Sequence, residues 1–111
     1  MSDYLDYLRE LLSPLGTIRA KRMFGGWGLY GNERFFAIVA EDRLYVKVDA
    51  LSEPEFRAAG CEPFVFTAQG KSVAMAYWSL PDEAFDSPED MQPWARRAYD
   101  AACRAAEAKA A

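Results

Sequence analysis

The sequence has 111 residues, a length typical of one domain, and it carries 13 lysines and arginines against 17 acidic residues. Hydrophobic residues make up 51% of it, which excludes a disordered chain, and no apolar run approaches the roughly 18 residues of a membrane-spanning helix. Histidine is absent, which excludes Ser-His-Asp and Cys-His catalysis and histidine metal sites. The net charge of −4 argues against a broad phosphate-binding surface.

The compartment is predicted from the N-terminus and the cysteines. Met1 to Tyr4 lack the basic start and apolar run of a signal peptide. Cys61 and Cys103 form no C-x-x-C motif, so each is expected to be a partly buried apolar residue in a reducing compartment. The expectation is therefore a cytoplasmic protein of one domain, residues 1–111, with no cofactor, no metal and no membrane partner.

The chain begins with a predicted helix over residues 3 to 13, where leucines recur at helical spacing. Thr17 to Phe24 read as the first strand, with Arg19 and Lys21 on one face and Arg22 on the apolar face. A charge on an apolar face is costly unless it is paired. Arg22 is therefore expected at the strand end, beside a carboxylate, or on an anionic ligand.

A glycine-rich corner follows the first strand. Gly25 and Gly26 come directly after Met23 and Phe24, and Gly28 follows one residue later. Adjacent glycines allow the positive φ of hairpin turns, and glycine within a strand marks a bulge or a close approach of another backbone. These five residues predict a kinked hairpin whose glycines make room for aromatic side chains. A phosphate-binding loop is not favoured, because nothing that follows opens a helix.

Three more strands are predicted next, over Trp27 to Tyr30, Glu33 to Ala40, and Arg43 to Val48. The short turns between them, with Gly31-Asn32 and Glu41-Asp42 as turn signals, predict an antiparallel meander. The third strand is apolar on both faces, as expected of a central strand that is at least partly covered on both sides.

The fourth strand alternates most clearly, with aliphatic residues directed inward and Arg43, Tyr45 and Lys47 directed outward. These outward residues and the cations of the first strand make a candidate interaction surface. Its members are Arg19, Lys21, Arg22, Arg43, Tyr45 and Lys47. The same residues would also make an ordinary solvated sheet face.

In the second half of the chain, the pattern predicts a helix over Asp49 to Ala59 and strands over Glu62 to Thr67 and Ser72 to Leu80. A last helix is predicted from Pro88 to about Ala108. Pro63 places the fifth strand at an edge or at a strand end. The order α-β-β-β-β-α-β-β-α predicts an α+β fold of two layers, an antiparallel sheet with helices on one face.

Two of the helix starts have polar residues that can cap them. Ser52 and Glu55 have the spacing of a capping box, while Asp49 competes with Ser52 for the second helix. Ser87 before Pro88 marks the start of the last helix.

Six segments, in order along nearly the whole chain, resemble the N-terminal domain of the TfoX/Sxy family of bacterial competence regulators. They are Arg22 to Tyr30, Phe36 to Ala40, Leu44 to Asp49, Ala59 to Phe64, Met75 to Trp78 and Pro88 to Ala98. The resemblance implies a two-layer α+β fold similar to secretion-chaperone-like domains and a role near transcriptional control of DNA uptake. Full-length members of the family carry a second, C-terminal domain, whereas this sequence ends at Ala111. A stand-alone form of the N-terminal domain is therefore expected. The resemblance supplies no catalytic residues.

The sequence leaves three functions open. The favoured one is a non-enzymatic regulatory or protein-interaction domain that binds a protein partner or itself. The alternative is a binder of a small anionic ligand or nucleic acid, in which basic residues beside Tyr45 and Trp27 combine phosphate contacts with stacking. An enzyme is disfavoured, because the acidic residues cluster at helix starts and turns and no nucleophile–base pair is visible.

Overall fold

The computed structural model describes residues 3–23, 26–68 and 70–110. The helices are α1 (Asp3–Leu11), α2 (Glu53–Ala58) and α3 (Pro88–Ala110), and short 3-10 turns cover Ser13–Leu15 and Asp82–Phe85. The strands are β1 (Ile18–Met23), β2 (Gly26–Gly31), β3 (Arg34–Ala40), β4 (Arg43–Lys47), β5 (Pro63–Ala68) and β6 (Lys71–Trp78).

The six strands form one antiparallel sheet in the order β1-β2-β3-β4-β6-β5. The first four strands are consecutive neighbours, which confirms the predicted meander. The chain then crosses through α2, and the β5–β6 hairpin docks with β6 against β4. This leaves β5 at the edge, as Pro63 predicted. The α+β class and the element order are both confirmed.

The helices cover one face of the sheet and form the core with it. The buried side of α1 is a row of leucines, Leu5, Leu8 and Leu11. Alanines of α3, among them Ala95 and Ala98, are buried where that helix packs across β3 and β4. Small side chains at helical spacing let α3 approach the sheet closely. No helix in the described ranges is long and apolar enough to cross a membrane.

The β2–β3 and β3–β4 turns hold non-glycine residues in the left-handed region. Asn32 and Glu33 have φ of 49° and 66°, and Glu41 and Asp42 have φ of 53° and 59°. Positive φ at both central residues is the mark of a two-residue turn of type I′. The first of these turns lies one residue later than Gly31-Asn32, because Gly31 still pairs with Arg34 in the ladder.

The glycines of β2 lie where other groups come close. A Cβ on Gly26 would overlap the carbonyl oxygen of Val39 on the neighbouring strand. A Cβ on Gly28 would stand 2.5 Å from Met23 Cε and 3.0 Å from Phe35 Cε1. Neither Gly26 nor Gly28 lies at a β-bulge, because the irregularity in the β2–β3 ladder falls between Leu29 and Tyr30.

The corner itself lies only partly within the described residues. Met23 pairs directly with Gly26, so β1 and β2 meet across it. Phe24 and Gly25, the other two members of the predicted corner, lie outside the described residues.

An ion pair between Asp49 and Arg104 links the segment before α2 to the far half of α3. Arg104 Nε and Nη2 donate to the two carboxylate oxygens at 2.7 and 3.0 Å. One of these oxygens also accepts from the backbone N–H groups of Leu51 and Ser52. Of the two competing caps, the Asp49 carboxylate thus accepts from the N–H groups of the turn that leads into α2, while the Ser52 hydroxyl accepts from the Asp49 N–H and makes no cap bond to α2.

Candidate interaction face

The face of the sheet opposite the helices brings together most of the predicted surface residues; we call it the open face. In the β1–β2–β3–β4 ladder, Lys21, Gly28, Ile38 and Tyr45 lie side by side in one row. Successive side chains of a strand point to opposite faces. The open face therefore carries the side chains of Arg19, Lys21, Tyr30, Phe35, Ile38, Arg43, Tyr45, Lys47, Phe64 and Tyr77.

Arg22 is the one predicted surface residue that lies elsewhere. It pairs with Trp27, whose ring packs against the core, so both side chains are on the helix side of the sheet. The guanidinium carbon stands 5.3 Å from the centre of the Trp27 ring, and the residue is exposed. Its position at the end of an edge strand lets the charge reach solvent while the stem covers the indole.

Aromatic side chains form the base of the open face. The ring centres of Tyr30 and Phe35 are 5.2 Å apart, those of Phe35 and Tyr77 are 5.7 Å apart, and those of Tyr45 and Phe64 are 4.9 Å apart. Burial raises the pKa of the Tyr77 phenol to about 12. The rings thus shield one another and part of this face of the sheet from water.

Of the rings in this aromatic base, only Tyr45 belongs to the candidate surface predicted from the sequence. The missed signal is the alternation of Tyr77 with the buried Trp78, which assigns Tyr77 to the open face once β6 is paired with β4. Phe35 could not be assigned in this way, because the bulge in the β2–β3 ladder changes the alternation next to it.

Two cations of β4 lie over rings of the open face. The Arg43 guanidinium carbon is 5.8 Å from the Tyr45 ring centre, and Lys47 Nζ is 5.4 Å from that of Tyr77. Contacts of this kind contribute about 0.5–1 kcal/mol at exposed sites and limit where the charge can go. They hold both charges on the face without neutralising them.

Acidic and basic residues are distributed differently between the strands and the other elements of the chain. The six strands contain no aspartate or glutamate, so all 17 acidic residues lie in helices, turns and loops. The strands nevertheless contain seven cations: Arg19, Lys21, Arg22, Arg34, Arg43, Lys47 and Lys71. A chain of net charge −4 therefore has a positive sheet.

The cations of the helices and those of the strands also differ in ion pairing. All the arginines of the three helices pair with a carboxylate: Arg9, Arg57, Arg96, Arg97 and Arg104. Among the described cations of the open face, Arg19 alone does so, with both oxygens of Glu33. Within the described part of the chain, Lys21, Arg43 and Lys47 have no carboxylate within ion-pair distance.

A cleft lies beside the open face, between α1, β4 and the segment after β6. It has a volume of about 240 Å³ and is lined by Tyr4, Tyr7, Arg43, Leu44, Ser79, Leu80, Asp82 and Phe85. The Tyr7 hydroxyl donates to the backbone carbonyl of Phe85 and ties the two walls together. The described residues contain no group of three or more cysteines and carboxylates that could hold a metal ion.

Cys61 shows no sign of an activated thiol. Its side chain is buried, and burial raises the pKa of the thiol above its usual value, with Glu83 adding to the effect. A reactive cysteine needs the opposite shift.

The chain matches the family model of the TfoX N-terminal domain over residues 10–102. It belongs to the TfoX N-terminal domain family. Two relatives are similar in sequence. The DNA transformation protein TfoX1 of Aliivibrio fischeri (strain ATCC 700601 / ES114) is 27% identical over 82 residues, which are 74% of this chain and 39% of that protein. The DNA transformation protein TfoX of Haemophilus influenzae (strain ATCC 51907 / DSM 11121 / KW20 / Rd) is 30% identical over 88 residues, 77% of this chain and 41% of that protein.

The chain therefore spans about two fifths of the length of the TfoX proteins that it matches. The match to the TfoX N-terminal domain extends from the end of α1 through most of α3 and includes all six strands. The open face thus lies wholly within the part of the chain that defines the family.

Proposed function

We propose that this chain is a non-enzymatic regulatory domain, linked to DNA transformation, that binds a protein partner through its open face. Membership of the TfoX N-terminal domain family supports the regulatory setting, and the matched proteins of Aliivibrio fischeri and Haemophilus influenzae are named for DNA transformation. The partner and the mode of action are part of the proposal.

The observation that carries the proposal is the open face itself. Five of the six predicted surface residues, all except Arg22, lie together there. They surround aromatic rings, and aromatic and arginine residues are the types enriched where proteins bind one another. The described helices all pack on the opposite side, so this face is available to a partner.

The test is genetic and uses charge reversal on the open face. In the source organism, a strain lacking this gene is complemented with the wild-type chain or with the Lys21→Glu/Lys47→Glu variant. The expected result is that the wild type restores transformation frequency and transcript levels of DNA-uptake genes, while the variant does not. The control, Arg96→Glu/Lys109→Glu, makes the same change of charge on exposed parts of α3 and should complement fully.

Two results would contradict this function. One is a deletion strain with unchanged transformation frequency and unchanged transcripts. The other is full complementation by the open-face variant. Circular dichroism of the purified variants distinguishes loss of binding from loss of folding.

A further inference from the structure

We propose that the open face binds an acidic protein segment, with carboxylates on Lys21, Arg43 and Lys47 and apolar side chains on the aromatic base. This inference rests on the proposed function and specifies the chemistry of the partner.

Unpaired charge gives the first argument. Every helical arginine has a carboxylate of its own, whereas these three cations have none in the described part of the chain. The strands that carry them contain no acidic residue. Carboxylates of a partner would therefore meet positive charge without displacing an existing ion pair and without like-charge repulsion from the sheet.

Geometry gives the spacing of the partner's carboxylates. Lys21 is on β1, and Lys47 is on β4, three strand spacings across the sheet and two residues along β4 from Tyr45, the last member of the Lys21 row. Their Cα atoms are therefore about 16 Å apart. The row from Lys21 to Tyr45 contains Gly28 and Ile38, which are buried and carry no long polar side chain. An extended segment covers about 13 Å in four residues, and residues four apart point to the same side. This span is about 3 Å shorter than the Cα separation, and the long flexible lysine side chains can cover the difference. Two carboxylates at positions i and i+4, with an apolar residue at i+2 near Ile38, therefore fit this face.

The same features disfavour a long nucleic-acid strand. The turn residues Glu41 and Asp42 adjoin Arg43, so a phosphate backbone that continued past that end of β4 would meet carboxylates. The positive area suits a short anionic segment better than a long polyanion.

The experiment is a titration of the ¹⁵N-labelled full chain followed by NMR. The probe is a blocked peptide of about twelve residues with two glutamates four positions apart, leucine midway between them and glycine or serine elsewhere. The control peptide has lysines in place of the glutamates. An oligothymidylate of similar length is titrated separately.

The expected result is a saturable shift of open-face amides with the glutamate peptide and none with the lysine peptide. Lys21→Glu/Lys47→Glu should weaken this binding by about tenfold or more, and Arg96→Glu/Lys109→Glu should leave it within about twofold. Light scattering of the free protein checks whether a second copy occupies the face instead.

Each other outcome overturns the inference. No shift with the glutamate peptide, or a shift outside the open face, removes it. Tighter binding of the oligothymidylate at this face assigns a nucleic acid as the ligand, and a dimer that the open-face variant disrupts assigns a second copy. If the open-face variant fails in complementation while the peptide does not bind, the proposed function stands and only the acidic partner is lost.

Discussion

At the scale of single residues, Gly26 and Gly28 show that glycines two positions apart can be required for different reasons. Gly26 has no room for a side chain because the backbone of Val39 occupies that space. Gly28 is covered by the thioether end of Met23, a group that can move. The sequence indicated a close approach at this corner, but only the sheet shows which neighbour is rigid and which can yield.

This difference predicts unequal costs for two alanine substitutions. Gly26→Ala should lower the free energy of unfolding by about 3 kcal/mol, because backbone must shift, while Gly28→Ala should cost about 1 kcal/mol. Urea denaturation of both variants measures the two values. In a Met23→Ala background the Gly28→Ala cost should shrink further, whereas the Gly26→Ala cost should not. Equal costs for the two substitutions would contradict this account.

At the scale of elements, local patterns located every helix and strand, but not all the links between them. The leucine spacing of α1, the alternation of β4 and the Ser87 start of α3 depend on neighbouring residues, and these predictions agree with the structure. The pairing of β6 with β4 joins residues about 30 positions apart and leaves no local trace. The aromatic base of the open face depends on that pairing, so its extent could not be read from the sequence.

The Asp49–Arg104 ion pair also joins segments that are distant in the sequence. Its contribution to the free energy of unfolding should depend on pH. The bond from Arg104 is the main cause that lowers the pKa of Asp49 from 3.8 to about 2. A carboxyl whose pKa is depressed by folding adds stability that is fully present above pH 3.8 and is lost as the pH falls through about 2.

Asp49→Asn keeps the backbone cap and removes the charge, so it isolates the ion pair. The Asp49 side chain is 25% exposed, and with solvent screening we expect a loss of about 1–2 kcal/mol near neutral pH. The difference between wild type and variant should narrow as the pH approaches about 2 in urea denaturation series. Asp82→Asn, which removes an exposed carboxyl that makes no ion pair with the described residues, serves as the control. A difference that stays constant across this range would show that the charge is not responsible.

At the scale of the whole molecule, composition and structure give different electrostatic descriptions. The net charge of −4 suggests a uniformly acidic protein and argues against a broad phosphate-binding surface. The fold assigns the acidic residues to helices and turns and leaves the strands positive. An average over the sequence could not show this, because the open face exists only after strands from both halves of the chain are paired.

Chromatography offers a test of this charge separation that needs no partner. At neutral pH and low ionic strength the wild-type chain should be retarded on a sulfonate cation exchanger despite its negative net charge, because the open face can turn toward the resin. Lys21→Glu/Lys47→Glu should flow through, and Arg96→Glu/Lys109→Glu, of identical net charge, should still be retarded. Flow-through of the wild type at low salt would contradict a concentrated positive face.

The same separation of charge gives the molecule an electric dipole whose positive end is the sheet. In the field of an approaching anion, such a molecule experiences a torque before any surfaces touch, and it arrives already oriented. Encounter would then be fast and sensitive to ionic strength, whereas the lifetime of the complex would depend on how well the aromatic rings are covered once water has left.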